Sequence, residues 1–124
     1  MTAQLLAGDL TIDVDLASPG AIRLDWRGSS TARHPDAVVS AFLSEWAARA
    51  SQTDARLELH FEALERLNSS TIAVLVQFLQ RMREVKVTVA LRYSGRLRWQ
   101  QVTFEALRVF ETPTGWLSVE SVGD

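Results

Sequence analysis

Residues 10–26 read LTIDVDLASPGAIRLDW, and this stretch decides how the fold begins. Apolar and polar side chains alternate in two runs, which the segment Ala17-Ser18-Pro19-Gly20 separates. Strict alternation is typical of a strand with one buried face. A Pro-Gly pair favours a tight turn, because proline fixes φ and glycine accepts positive φ. The stretch therefore predicts an antiparallel pair of strands over 10–16 and 22–26.

Helical and strand patterns alternate downstream of this pair. A polar loop is predicted over 28–33. The predicted helices span 34–51, 72–82 and 97–110. The further predicted strands span 57–61, 85–93 and 116–122. Helices between consecutive strands imply parallel pairing through right-handed crossovers. Because the strands alternate, helices are expected over one face only. The sequence thus predicts an α/β fold: a mixed sheet of four to five strands, beginning with an antiparallel hairpin, with helices mainly on one face.

The side chains that this pattern places in the core come from both the helices and the strands. They are Phe42, Trp46, Leu57, Leu59, Phe61, Leu75, Leu79, Val87 and Val89.

The composition describes one globular domain over residues 1–124. Hydrophobic residues make up 47% of the chain and charged residues 23%, which excludes the composition of a disordered segment. With no cysteine and two histidines, neither a disulfide nor a metal site is expected, and no cofactor is predicted. No apolar run of about 18 residues occurs, so a soluble, cytoplasmic protein is expected. The net charge of −2 argues against binding to nucleic acid or a membrane.

Charge is unevenly distributed along the chain. Residues 66–98 hold seven basic side chains and one acidic, whereas residues 1–65 hold five basic and ten acidic. The arginines from Arg81 to Arg98 are best explained as a solvated face. A patch that binds a protein partner and a patch that binds nucleic acid are the two alternatives, and few aromatic residues accompany the arginines to favour the second.

An enzyme is not expected. His60 lies between Glu58 and Glu62 on the polar face of its strand, where a solvated histidine is a simpler interpretation than a catalytic base. The six glycines are scattered and form no phosphate-binding loop. The chain contains neither a G-x-S-x-G elbow nor an H-E-x-x-H zinc motif.

Residues 64–75, LERLNSSTIAVL, form the most informative segment for function. Four capping residues in a row, Asn68-Ser69-Ser70-Thr71, precede an apolar helix, and one side chain of this type is enough to cap a helix. A phosphate at the same place would meet free N–H donors and the positive end of the helix dipole. The residues alone favour a helix cap and leave a modification site open.

The same segment resembles the motif of STAS domains, the type found in bacterial anti-sigma factor antagonists. In that family a strand ends in Asp-Ser-Ser-Gly or a near variant, and an apolar helix follows. Here Asn68 stands for the aspartate, Ser69 and Ser70 for the serine pair, and Thr71 for the glycine. Asn68 lacks the carboxylate of the family motif, and Thr71 adds bulk and a hydroxyl group.

The resemblance implies a regulatory role. Ser70 is then the residue phosphorylated by a partner serine kinase that doubles as anti-sigma factor, and a phosphatase removes the phosphate; Ser69 and Thr71 are alternative acceptors. The segment from Asn68 to Thr71 is the expected partner-binding surface. The leading hypothesis is a non-enzymatic interaction module that regulates bacterial transcription by partner switching. The alternative is a STAS-like sensor that binds a small molecule or nucleotide and has no phospho-switch.

Overall fold

The computed structural model describes residues 3–31 and 36–123. Its strands are β1 (Gln4–Ala7), β2 (Leu10–Asp15), β3 (Ala21–Ser30), β4 (Arg56–Leu67), β5 (Val89–Ser94) and β6 (Leu117–Val122). Its helices are α1 (Asp36–Thr53), α2 (Ser69–Val85) and α3 (Arg98–Ala106), and a 3₁₀ helix (Leu107–Phe110) extends α3. The predicted helix start at His34-Pro35 lies outside the described residues.

The described strands form one mixed sheet in the order β1-β2-β3-β4-β5-β6. The pairs β1–β2 and β2–β3 are antiparallel, and β3 to β6 run parallel. The α/β class, the initial hairpin and the last edge strand are as predicted, but the sheet has six strands rather than four to five. The additional strand, β1, has four residues, too few for an alternation pattern to stand out.

Strand β3 is longer than predicted, because part of the expected polar loop belongs to it. Gly28 has a φ of +83°, and a Cβ there would lie 2.1 Å from the carbonyl oxygen of Asp9. Glycine therefore lets the strand pass this carbonyl, which accepts a hydrogen bond from the Ser29 N–H at 3.1 Å. The strand continues to Ser30, which pairs with Leu67 of β4.

The boundary between α2 and β5 also differs from the prediction. Val85 is the last residue of α2 rather than the first of the strand. Lys86 then takes the left-handed conformation, with φ +61°, and its N–H donates to the Met82 carbonyl. The Val87 N–H donates to the same carbonyl, so β5 begins only at Val89.

The core lies between the sheet and the helices. Because β3 to β6 follow one another in sequence order and each crossover is right-handed, α1, α2 and α3 cover the same face. The predicted core residues are buried, with the exception of Phe42, which is partly buried and lies beside Trp46 at a ring-centroid distance of 6.4 Å. None of the helices described is long and apolar enough to cross a membrane.

Candidate functional site

The segment Asn68–Thr71, called here the α2 loop, directly follows β4 and consists of the N-cap and the first three residues of α2. Asn68 has an extended backbone (φ −82°, ψ 166°), and its Oδ1 accepts hydrogen bonds from the Thr71 N–H at 3.0 Å and the Thr71 hydroxyl at 2.7 Å. Asn68 is therefore the N-cap of α2, as the capping interpretation predicts. Its own N–H donates to the Ser30 carbonyl at 3.1 Å, which ties the α2 loop to β3.

A buried chain of hydroxyl groups supports the α2 loop from below. Ser30 and Thr71 are 2% and 0% exposed, and their hydroxyl oxygens are hydrogen-bonded to each other. The Thr71 hydroxyl has one proton and donates it to Asn68, so Ser30 is the donor to Thr71. Ser30 thus donates to Thr71, and Thr71 donates to Asn68, so both buried hydroxyl protons are hydrogen-bonded. These bonds connect β3, the end of β4 and the start of α2.

The three candidate acceptors for a phosphate occupy different environments. Ser69 is exposed and Ser70 is partly exposed, whereas the Thr71 hydroxyl is buried in the hydrogen-bonded chain. The first turn of α2 carries no acidic side chain. Its N-terminal amides and dipole therefore present an uncompensated positive end to Ser69 and Ser70.

Gln100 holds the strand that leads into the α2 loop, a role that its sequence position did not indicate. Strands β4 and β5 pair only as far as His60 and Arg92, so among the described residues no strand pairs with the last part of β4 on that side. The fully buried Gln100 amide donates to the carbonyls of Phe61 at 2.6 Å and Leu64 at 2.9 Å, and its oxygen accepts from the Ser94 N–H at 2.7 Å. Gln100 thereby replaces the missing pairing.

His60 lies on the polar face of the sheet, as predicted, but it is not freely solvated. Its side chain is 12% exposed, with Nε2 at 3.1 Å from Glu58 and Nδ1 at 3.5 Å from Glu62. Burial works to raise the pKa of Glu58, but hydrogen bonds from His60 and Arg56 outweigh it and hold this pKa below its ordinary value. These contacts are those of a charge network, and the described residues contain no cluster of metal-ligating side chains.

The arginines from Arg81 to Arg98 do not form one patch. Arg81 hydrogen-bonds Ser44 from the far end of α2, where the chain turns toward the start of β5. Arg92 lies on the polar sheet face, 3.5 Å from Glu120. Arg98 is exposed at the start of α3, at the edge of the sheet that also carries the α2 loop.

Comparisons with known proteins show the fold. No family model and no curated protein matches the sequence. Among solved structures the chain is similar to apo-SiaC of Pseudomonas aeruginosa, at 18% identity and a TM-score of 0.67 over 97% of this chain and 98% of that one. It is equally similar to the structure of the diguanylate cyclase SiaD in complex with its activator SiaC from the same organism (20% identity, TM-score 0.66, 96% and 98% covered).

The second group of similar structures comes from an anti-sigma factor antagonist, the class of protein that the sequence motif resembles. The unphosphorylated form of the anti-sigma factor antagonist SpoIIAA aligns at 11% identity with a TM-score of 0.59, over 90% of this chain and 89% of that one. The phosphorylated form of this Bacillus cell fate determinant aligns at 12% identity with a TM-score of 0.55, over 90% and 92%. The predicted STAS fold is confirmed at this level.

Proposed function

On a chain with the STAS fold, we propose a non-enzymatic regulatory module that binds a partner protein through the α2 loop and releases it when Ser70 is phosphorylated. The observation that carries the proposal is the geometry of the α2 loop. A rigid hydrogen-bonded chain supports it, while Ser69 is exposed and Ser70 is partly exposed in the first turn of α2, which carries no acidic side chain. Such a site accepts a phosphate without unfolding the domain.

The physical effect of the phosphate falls on the partner rather than on this chain. Phosphorylation adds about −1.5 to −2 charges and three acceptor oxygens near neutral pH. The amides and dipole at the start of α2 offset part of this charge on the chain itself. A partner surface shaped for a hydroxyl group meets the added bulk and the cost of desolvating the phosphate, and it dissociates.

Two partner classes follow from the similar structures. The resemblance to anti-sigma factor antagonists supports a serine kinase that doubles as anti-sigma factor, with a phosphatase that resets the switch. The higher TM-scores and coverage of the SiaC structures support a second candidate, an enzyme of the diguanylate cyclase class that the unmodified chain activates. Both versions use the same loop, and both place the chain in the cytoplasm.

The acceptor is tested first by mass spectrometry of the intact chain purified from its own host. We expect a species heavier by one phosphate group, which disappears in Ser70→Ala and persists in Ser69→Ala. The reverse pattern moves the acceptor to Ser69 and leaves the switch in place. A co-purifying small molecule on a chain that is never phosphorylated supports the sensor alternative instead.

The switch is tested by titration calorimetry against the kinase or cyclase encoded beside the gene. Ser70→Asp is expected to weaken binding at least tenfold, about 1.4 kcal/mol, while the melting temperature stays within a few degrees of wild type. Ser70→Ala should bind as wild type does. Equal affinities of Ser70→Asp and wild type for every such partner would contradict the phospho-switch.

A further inference from the structure

A groove of about 550 Å³ opens beside the α2 loop, between the end of β4 and α3. Leu67 and Asn68 form one wall, and Trp99 and Thr103 form the other. Asn68 belongs both to this groove and to the α2 loop, so an occupant of the groove lies next to the serines. We call it the Trp99 groove.

The walls of the Trp99 groove suit an apolar side chain. Trp99 is partly buried and packs against the core, with its ring centroid 6.4 Å from that of Phe104, so its exposed surface is held rigidly. Val102, 60% exposed, follows Trp99 at a spacing of three residues and lies on the same side of α3, next to Thr103. Rigid tryptophan surfaces bordered by arginine are typical of the residues that contribute most to protein interfaces.

Three arginines lie in or near the Trp99 groove. Arg66 lines the groove, and Arg98 precedes Trp99 at the start of α3. Arg96 lies at the same edge of the sheet. Among the described residues, no carboxylate forms an ion pair with Arg66, Arg96 or Arg98. Among the described residues that line the groove, Arg66 is the basic one and Glu65 the acidic one. Arg96 and Arg98 add positive charge at the same edge of the sheet, so the surroundings of the groove favour an acidic ligand.

We propose that the Trp99 groove receives a segment of the partner protein in which a large apolar side chain is flanked by aspartate or glutamate. The apolar side chain fills the space between Leu67 and Trp99, and the carboxylates pair with Arg66 and Arg98. This inference rests on the proposed function and adds to it the chemistry of the partner.

The position of the groove supplies a reason for release on phosphorylation. An acidic segment bound next to Asn68 lies close to any phosphate on Ser69 or Ser70. Like charges at short range repel each other, and the phosphate also competes for the same arginines. A single modification thus removes the attraction that recruits the partner.

The test uses the full chain and a random peptide library displayed on phage, followed by fluorescence anisotropy of the enriched peptides. We expect the enriched peptides to combine one large apolar residue with neighbouring aspartate or glutamate. Arg66→Glu should weaken their binding at least tenfold, and so should Thr103→Gln, which adds volume inside the groove and favours the helix more than threonine does. Arg83→Glu is the matched control: it makes the same charge change on an exposed arginine at the far end of α2 and should leave the affinity unchanged.

Four results would overturn the proposal. One is enrichment of neutral or basic peptides, and another is an equal loss of affinity in Arg66→Glu and Arg83→Glu, which indicates only the long-range effect of net charge. The third is displacement of the peptides by an oligouridylate, which identifies a nucleic-acid surface. The fourth is self-association, measured by light scattering, that Thr103→Gln abolishes, because a second copy then occupies the groove.

The same peptides separate this inference from the proposed function. Loss of peptide binding in Ser70→Asp supports both. If peptide affinity falls in Arg66→Glu but stays unchanged in Ser70→Asp, the groove proposal stands and the phospho-switch is contradicted. The opposite result is also informative. If Ser70→Asp loses the partner while Arg66→Glu and Thr103→Gln bind it as wild type does, the phospho-switch stands and the groove proposal is wrong.

Discussion

The open face of the sheet and the edge that carries the α2 loop are both rich in arginine, yet they use it in opposite ways. On the open face each arginine has a carboxylate within 3.5 Å. The pairs are Arg23–Asp25, Arg27–Asp13, Arg56–Glu58 and Arg92–Glu120. At the edge Arg66, Arg96 and Arg98 have no such partner among the described residues.

The difference teaches that strand pairing, together with the two-residue repeat along a strand, decides which charges are available to a partner. Asp13 and Arg27 come from neighbouring strands, and antiparallel pairing brings the two side chains to 2.8 Å. The arginines of the open face are therefore already engaged by carboxylates of the same chain. The edge lies beyond the last residue pair of β4 and β5, and within the described part of the chain no cross-strand neighbour supplies a carboxylate there. Its arginines keep their capacity to bind an external anion.

The largest effect is expected from a change that weakens both regions together. Leu59 is fully buried on β4, on the face opposite to His60, and it supports the open face as well as the strand that leads to the α2 loop. Leu59→Ala should lower the free energy of unfolding by about 2–5 kcal/mol, because it leaves a cavity in the core. Urea denaturation measures this loss. A loss below about 1 kcal/mol, the range of surface substitutions, would place Leu59 outside the core.

The second effect should separate the two regions. Gln100→Leu removes the partners of the Phe61 and Leu64 carbonyls and the Ser94 N–H, and each unpaired buried group costs about 1–3 kcal/mol. We expect a total loss of about 2–4 kcal/mol, since water compensates in part. Hydrogen exchange should accelerate over residues 61–68 and stay unchanged in β2.

Gln100→Glu is the companion change: it keeps an acceptor for the Ser94 N–H, but it replaces the donating NH2 group with a buried carboxylate oxygen that repels the two carbonyl oxygens. It should be destabilising as well, with the β4 end again affected first. Uniform acceleration of exchange in all strands would show that Gln100 stabilises the whole domain and not the edge.

A smaller effect is expected from the hydroxyl chain under the α2 loop. Thr71→Val keeps the side-chain shape but leaves the Ser30 hydroxyl without an acceptor and removes one bond to Asn68. A loss of about 1–2 kcal/mol follows from an unpaired buried hydroxyl. Thr71→Ser keeps the hydroxyl and should retain most of the stability. Equal stability of Thr71→Val and wild type in thermal unfolding would show that the chain of hydroxyl groups contributes nothing.

The features that the sequence predicted correctly depend on near neighbours. The hairpin over 10–26 follows from alternation and a Pro-Gly turn, and the cap at Asn68 follows from a side chain that reaches three residues ahead. The parallel pairing of the later strands and the single helical layer then follow from general rules for crossovers.

The features that it missed join residues far apart along the chain. Ser30 and Thr71 are separated by 41 residues and Gln100 and Phe61 by 39, and nothing in either local pattern marks them as partners. The extension of β3 past Gly28 was hidden for a related reason: its polar composition is typical of a loop, and pairing with β4 overrides that preference. The Trp99 groove likewise exists only once α3 packs beside β4.

The smallest expected effect belongs to the charge network of the open face and appears only in acid. The pKa of Glu58 in the folded chain lies below its ordinary value of 4.5, so the unfolded chain binds more protons than the folded one as the pH falls through this range. The stabilisation from Glu58 is therefore complete above about pH 4.5 and is lost as the pH drops through the lower folded pKa. Glu58→Gln removes this titration, so its stability should decline less steeply in acid than that of wild type. The difference should amount to about 1 kcal/mol or less, as for other partly exposed ion pairs.

Chemical denaturation at pH 7 and at several values between about 3 and 5 measures this difference. Glu105→Gln, the same change on an exposed helical residue, should leave the acid slope as it is. If the free energy of unfolding falls equally steeply in acid for Glu58→Gln and wild type, the contacts of Glu58 do not stabilise the fold.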